Sequence, residues 1–546
     1  MTSSASPGVL GAAQSIDYVA LLPVLIVAGG ALAVLVADLF LDQKGKRLLS
    51  WGTAVILLAA LAADIGLWVT RTAVPRQTFC LPAPTGSTGS SGSNAAQQAT
   101  ALCSFSADNF SLALQILAIG ATLLVVLMAP RDFRAPFGEY HFLVLCSLTG
   151  ALVLVAARDF ITLTVALETL SLPAFALVGF GRHGNQDAPG TSGEAALKFF
   201  LMSIASTAIM LFGISLVYGT SGSVYFGAVQ RAAAQLSGYQ GTVFAVAAVL
   251  TLAGFAFKVS AVPFHFWTPE VYSGAPVPIA AYLSVVSKSA GFAGLILAFD
   301  LAFRSYLHDL GVLIAVLAAV TMTVGNLIAL RQRQAVRLLA WSTVAQAGYI
   351  LVPLAVTQWN GTHFTLNTVV GANSLGPAVA ASVAYLILYA VMNLGAFAVV
   401  SALSSEGDGD LTQYQGISRR RPRAAFPLAF FLLCLAGLPP GVMGLFAKVA
   451  VFKAAVSGDM VWLAVIMAVN VVIALYYYLR WAALLFAQPA AAPAEATAVP
   501  APTSTLATAR PVSIPLAPRL AVGLALALAV VLSVYPNPAL DVLNLH

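Results

Sequence analysis

Four ionisable side chains stand where such groups are rarely found. Lys258, Lys288 and Lys448 each lie inside long apolar runs, and Glu168 lies well inside another. A charge at the centre of a bilayer costs at least ~2.5–3.5 kcal/mol on insertion scales, so these residues are kept for a partner or a purpose. Burial disfavours the charged form of either type, and a nearby opposite charge restores it. A lysine whose acidic partner approaches and withdraws therefore gains and loses a proton. Arginine, effectively always protonated, does not do this. A row of such groups through a wetted interior is a proton relay. The competing reading is a set of static ion pairs that hold helices together.

The remaining charges near apolar runs read differently. Lys198 lies about one turn into its run, where snorkelling to the surface is an alternative to a buried role. Lys453 and Arg480, near run ends, read as anchors. Asp38, Asp64 and Asp300 are also nearer run ends and are expected to be wetted. His265 follows a proline break and either belongs to a cytoplasmic proton intake or is solvated at a helix end. His141 and His183 are close to loops and carry no signal. There is no cysteine cluster and no GxGxxG unit after a strand, so this chain is expected to bind no NADH, flavin, iron–sulfur cluster or metal.

The elements that must position these residues are membrane helices. Of 546 residues, 60% are hydrophobic and 8% charged. A soluble domain carries about a quarter charged residues. The apolar residues fall in separate runs of roughly twenty, each enough to cross a hydrocarbon layer of about 30 Å as a helix. The fold class is an all-α polytopic membrane protein of about fourteen spans, near 18–40, 48–70, 109–129, 140–157, 159–180, 194–219, 241–264, 278–301, 308–330, 336–357, 378–403, 425–456, 460–486 and 516–535. The first run lacks a basic leader and is too long for a cleaved signal peptide, so it is expected to be retained.

The net charge of +6 sits in loops and points to membrane orientation, not to nucleic acid. One side holds fifteen Lys and Arg, among them Lys46, Arg131, Arg182, Arg331, Arg419, Arg420, Arg421, Arg423 and Arg510. The other holds five: Arg71, Arg76, Arg158, Arg231 and Arg304. The richer side is expected to be cytoplasmic, with both termini outside. A disulfide between Cys80 and Cys103 is then permitted in the exterior loop they flank, though sequence does not decide it. Cys146 and Cys434 read as small core residues. The Ala/Pro-rich stretch 488–518 reads as a flexible cytoplasmic linker.

A long-range echo organises the middle of the chain. Leu252-Ala253-Gly254 leads to Lys258 and Pro263; Leu435-Ala436-Gly437 leads to Pro439, Pro440 and Lys448. Both are proline-interrupted, lysine-bearing helices, five spans apart, which reverses the direction of the second copy. Two inverted five-helix repeats with matching breaks in spans seven and twelve point to an ion pathway. The expected divisions are 1–135, a three-helix segment; 136–305 and 306–487, the two repeats; and 488–546, the linker and last helix.

The run Phe257-Lys258-Val-Ser-Ala-Val-Pro263-Phe-His265-Phe-Trp267-Thr-Pro269-Glu270-Val-Tyr272 resembles the signature of the proton-pumping membrane subunits of respiratory complex I, a family that also includes the Mrp-type cation/proton antiporter subunits. Leu435 to Pro440, Phe446-Ala-Lys448, Val451-Phe-Lys453, Tyr476 to Arg480 and Tyr389 to Phe397 resemble the same family. The resemblance covers spans four to thirteen. It implies that Glu168 pairs with Lys258, that Lys198 modulates the pair, that Lys288 is the central relay lysine and that Lys448 is the terminal one. One branch of the family carries lysine where Lys448 stands, and another carries glutamate. Gln346 stands where relatives commonly have histidine; an amide does not carry a proton as imidazole does, so a relay through span ten would hold only if water substitutes. Glu270 and Ser273 replace an aspartate and a glutamate.

The resemblance implies a membrane-arm subunit of a bacterial NADH:quinone oxidoreductase that moves protons from cytoplasm to exterior. FMN, iron–sulfur clusters and quinone are expected elsewhere in the complex. The expected partners are other antiporter-like and small helical membrane subunits, and lipid. The rival classes are an Mrp-type antiporter subunit with the same residues but different neighbours, a non-pumping structural subunit, and a stand-alone transporter of organic substrates.

Overall fold

The computed structural model of the chain describes residues 16–42, 45–72, 74–81, 102–129, 137–181, 191–356, 358–359, 362–363, 376–403, 409–488 and 515–536. Among these residues, thirteen helices are long and apolar enough to cross a membrane. They are α1 Leu22–Phe40, α2 Lys46–Val69, α3 Asn109–Met128, α4 Phe137–Ala156, α5 Phe160–Gly179, α6 Thr191–Ser221 and α7a Gly238–Val259. After the short α7b, Trp267–Gly274, come α8 Val277–Ala302, α9 Leu307–Ala329, α10 Ala335–Ala355 and α11 Pro377–Leu403. The expected twelfth span is present as two halves, α12a Pro422–Ala436 and α12b Met443–Ser457. The chain then forms α13 Val461–Phe486 and α14 Leu516–Val534. The fourteen expected spans are thus accounted for, the seventh and twelfth of them broken.

The two expected breaks have a common local build. α7a ends at Val259, and Ser260 turns the chain through the left-handed region at φ 64°. α12a ends at Ala436, and Gly437 does the same at φ 82°. A left-handed residue past the last turn is an ordinary way to stop a helix. Prolines then follow, with cis bonds at Val262–Pro263 and Pro439–Pro440. Proline has no N–H to donate, so neither helix continues through. The first break is held by side chains: Trp267 Nε1 donates to the Phe257 carbonyl at 2.9 Å, and the Val262 amide donates to Thr321 Oγ1 at 2.9 Å.

The apolar windows of α8 and α10 are wholly buried, against 33% in α1, α2 and α14, so the first pair forms the centre and the latter three face outward. α8 is not a regular helix. π turns at Leu283–Ser287 and Ala298–Ala302 flank the α segment Lys288–Leu297. Such bulges are rare and gather at functional sites.

The connection between α2 and α3 contains a hairpin, β1 Arg76–Cys80 against β2 Cys103–Ala107, antiparallel with Cys80 opposite Cys103. The two cysteines are bridged. Three expectations change. Asp64 and Asp300 are 0% exposed, not wetted, because each faces into its helix bundle. Asp38 is mostly covered and pairs with Lys46 at 2.8 Å. His141 is buried and hydrogen-bonded to Ser50 Oγ at 3.0 Å. His183, Arg131, Arg182, Arg510 and most of the stretch 488–518 lie outside the described residues.

Candidate functional site

The three lysines expected to be buried are buried: Lys258 and Lys288 are 2% exposed and Lys448 is 4% exposed. None of them makes an ion pair with a described residue; each amine instead meets neutral oxygens. Lys258, at the end of α7a, donates to Ser171 Oγ on α5 at 2.8 Å. Lys288, directly after the π turn of α8, donates to the Thr343 carbonyl on α10 at 3.1 Å. Lys448, on α12b, reaches back across its own break to the carbonyls of Leu435 and Ala436 at 3.0 and 2.6 Å. Those carbonyls are the unsatisfied C-terminal groups of α12a, where the helix dipole favours a cation.

Glu168 does not touch Lys258. Its carboxylate accepts from Thr207 Oγ1 on α6 at 2.8 Å, while Ser171, three positions on along α5, takes the amine. Positions three apart share a helix face. The amine therefore rests one turn from the carboxylate, with the expected pair open. Lys198 is correspondingly not beside that pair. Its side chain is 41% exposed and lies between Glu194 and Glu270, both at 2.8 Å. It forms a solvent-facing triad linking α6 to α7b.

His265 is buried in the loop of the first break, against Trp341 of α10 at 5.3 Å between ring centres. It is not solvated. Pro263, Pro439 and Pro440 all lie in the breaks, as expected. Lys453 and Arg480 are exposed, as anchors should be.

Gln346 is 1% exposed and gripped at both ends. Tyr385 donates to its Oε1 at 2.5 Å, and its Nε2 donates to the Tyr478 hydroxyl at 3.3 Å. Tyr478 also pairs with Ser342, and Tyr389 donates to Thr343 Oγ1 at 3.0 Å. A tyrosine-rich cluster from α10, α11 and α13 thus surrounds the position where relatives have histidine.

A profile of the NADH:quinone oxidoreductase/Mrp antiporter transmembrane family matches residues 157–474. A protein named NADH-quinone oxidoreductase subunit N 2, from Streptomyces griseus, is 49% identical, with 92% of this chain and 90% of that protein covered. This chain belongs to that family. A chain of respiratory complex I from Thermus thermophilus is 29% identical with a TM-score of 0.70, covering 95% of this chain and 98% of its own. A chain of the Mrp complex from Dietzia has the same fold at 22% identity, with a TM-score of 0.77 and coverage of 97% of each chain. The matched family segment begins just before α5 and takes in Glu168, Lys198, Lys258, Lys288, Gln346 and Lys448. It leaves out α1 to α4, the second half of α13 and α14.

Several functional neighbours escape a reading of the sequence. Ser171 was findable, since it follows Glu168 at helical spacing on one face. Glu270 as a partner of Lys198 was not, because the two are 72 positions apart. Gly291 is a packing residue for Lys258: a Cβ there would stand 2.8 Å from Lys258 Cγ. The tyrosines around Gln346 come from α11 and α13, and no local pattern joins them.

Proposed function

We propose that this chain is a proton-translocating membrane subunit of a bacterial NADH:quinone oxidoreductase, carrying protons from cytoplasm to exterior along Glu168, Lys258, Lys288 and Lys448. On this reading both termini face the exterior, and the drive is quinone reduction in neighbouring membrane subunits. The flavin, iron–sulfur clusters and quinone belong to other chains of the complex. The two broken helices belong to two inverted five-helix repeats, 136–305 and 306–487.

The observation that carries this reading is the placing of three buried lysines against neutral oxygens at two helix breaks and a π turn. A static ion pair needs its acid in contact, since an unpaired buried charge is strongly unfavourable. Here the acid nearest Lys258 among the described residues, Glu168, is held by Thr207 one turn from the resting place of the Lys258 amine. Movement of that amine between Ser171 and Glu168 changes the charge it can bear. A proton is then held when the pair is closed and released inward, toward Lys288, when it opens. Lys448 completes the path on the carbonyls of α12a.

The test is the proton-to-electron ratio of the assembled complex in proteoliposomes. Lys258→Met should lower the ratio while the complex still assembles and reduces quinone. An unchanged ratio would sink the relay. An Mrp-type antiporter role predicts purification with cation-antiporter subunits and without redox subunits. The 49% relative supports the oxidoreductase reading over that one.

A further inference from the structure

Three polar atoms, one of them on the residue preceding Lys288, have no hydrogen-bonding partner among the described residues: the Tyr272 hydroxyl, the Ser287 hydroxyl and Asn393 Oδ1. All three residues are fully buried. They come from α7b, the first π turn of α8 and α11, and these elements meet at one place. Asn393 Nδ2 donates to Ser284 Oγ at 2.7 Å, tying α11 to the turn that ends just before Lys288. Phe397, four positions after Asn393, packs its ring 6.4 Å from that of Tyr272. Tyr389, four positions before Asn393, donates to Oγ1 of Thr343, the residue whose carbonyl takes the Lys288 amine. Tyr389, Asn393 and Phe397 therefore form one ridge of α11, turned toward α7b and the π turn.

Buried polar atoms without protein partners are generally met by ordered water, which needs two to four polar neighbours. This cluster supplies them. Gln346 offers no comparable route, because its amide is engaged at both ends and neither takes up nor gives up a proton readily.

We infer that Tyr272, Ser287 and Asn393 hold water beside Lys288, and that protons pass from Lys288 toward Lys448 along this α11 ridge and not through Gln346. The inference rests on the proposed relay. The far side of α11 supports the direction: Met392 Sδ lies 3.1 Å from where a Cβ of Gly444 would stand, one turn before Lys448 on α12b. In each step one N–H or O–H bond breaks and one forms on the next oxygen, or on nitrogen in the last step. The sequence starts at the Lys288 ammonium and ends on the Lys448 amine. Tyr272 and Asn393 are positioning residues, which orient the water without keeping the proton.

The experiment compares proton-to-electron ratios of the assembled complex in proteoliposomes. Asn393→Leu, which dries the cluster while keeping the branched shape, should lower the ratio by the same step as Lys288→Met. Asn393→Ser, which puts a hydroxyl in place of the amide and leaves room for a further water, should restore it, and Gln346→Leu should leave it where it was. If Lys288→Met lowers the ratio and Asn393→Leu does not, the ridge is overturned and the relay stands. A drop in Gln346→Leu as deep as in Lys288→Met also overturns the ridge, placing the path in α10. If Lys288→Met changes nothing, relay and ridge fall together. Should Asn393→Leu not assemble, Tyr272→Phe removes a single oxygen and decides the question by the same drop or its absence.

Discussion

The two helix breaks are built alike and used differently. Each stops a membrane helix with a left-handed residue, follows it with proline and resumes as a second helix. The lysine lies before the break in α7a and after it in α12b. Lys258 sends its amine to a side chain on another helix, Ser171, close to the carboxylate of Glu168. Lys448 sends its amine to the backbone of its own first half. The first site is therefore open to movements of α5 and α6. The second is self-contained, and its acceptors are carbonyls that no side-chain substitution removes. A switch belongs at the first and a fixed terminus at the second.

Substitutions at each site can break that contrast. The largest effect is expected at the self-contained site. A Cβ on Gly444 would lie 1.7 Å from the Cys434 carbonyl oxygen, a backbone atom with no freedom to move aside. Overpacking of a close-packed interior costs ~1–3 kcal/mol and sometimes more. Gly444→Ala should lower the yield of assembled complex and its thermal midpoint; normal values would show that the two halves of α12 are not held as rigidly as the geometry implies.

Next comes Ser171→Ala, which removes the resting acceptor of Lys258. A buried donor left unmatched costs ~1–3 kcal/mol. The amine then has Glu168 as its remaining partner, so the pair stays closed and the rate of proton pumping falls while assembly is kept. A normal rate would mean that Ser171 does not define the open position. The smallest effect is expected from Lys198→Ala. Its triad with Glu194 and Glu270 faces solvent, where ion pairs are screened and contribute little. The pumping rate should change less than in Ser171→Ala, and a larger loss would restore Lys198 to a direct role in the Glu168–Lys258 pair.

Much of this molecule is written locally along the chain. Hydropathy fixes the spans because a bilayer demands apolar runs of a given length, and Pro263, Pro439 and Pro440 mark the breaks because proline cannot donate. The apolar surroundings of Lys258, Lys288 and Lys448 likewise announce their burial. The partner of each group is another matter. Lys258 meets Ser171 across 87 positions, and Gln346 meets Tyr478 across 132. Such meetings depend on how each helix is rotated about its axis and which neighbours it packs against, and one chain's residue pattern does not encode that. For the same reason Asp64 and Asp300, set near span ends, turned out to be enclosed, and Lys198, expected beside Glu168, turned outward to Glu194 and Glu270. Composition and spacing placed the protonatable groups in the membrane; only the packing of the helices decided which of them share a neighbourhood.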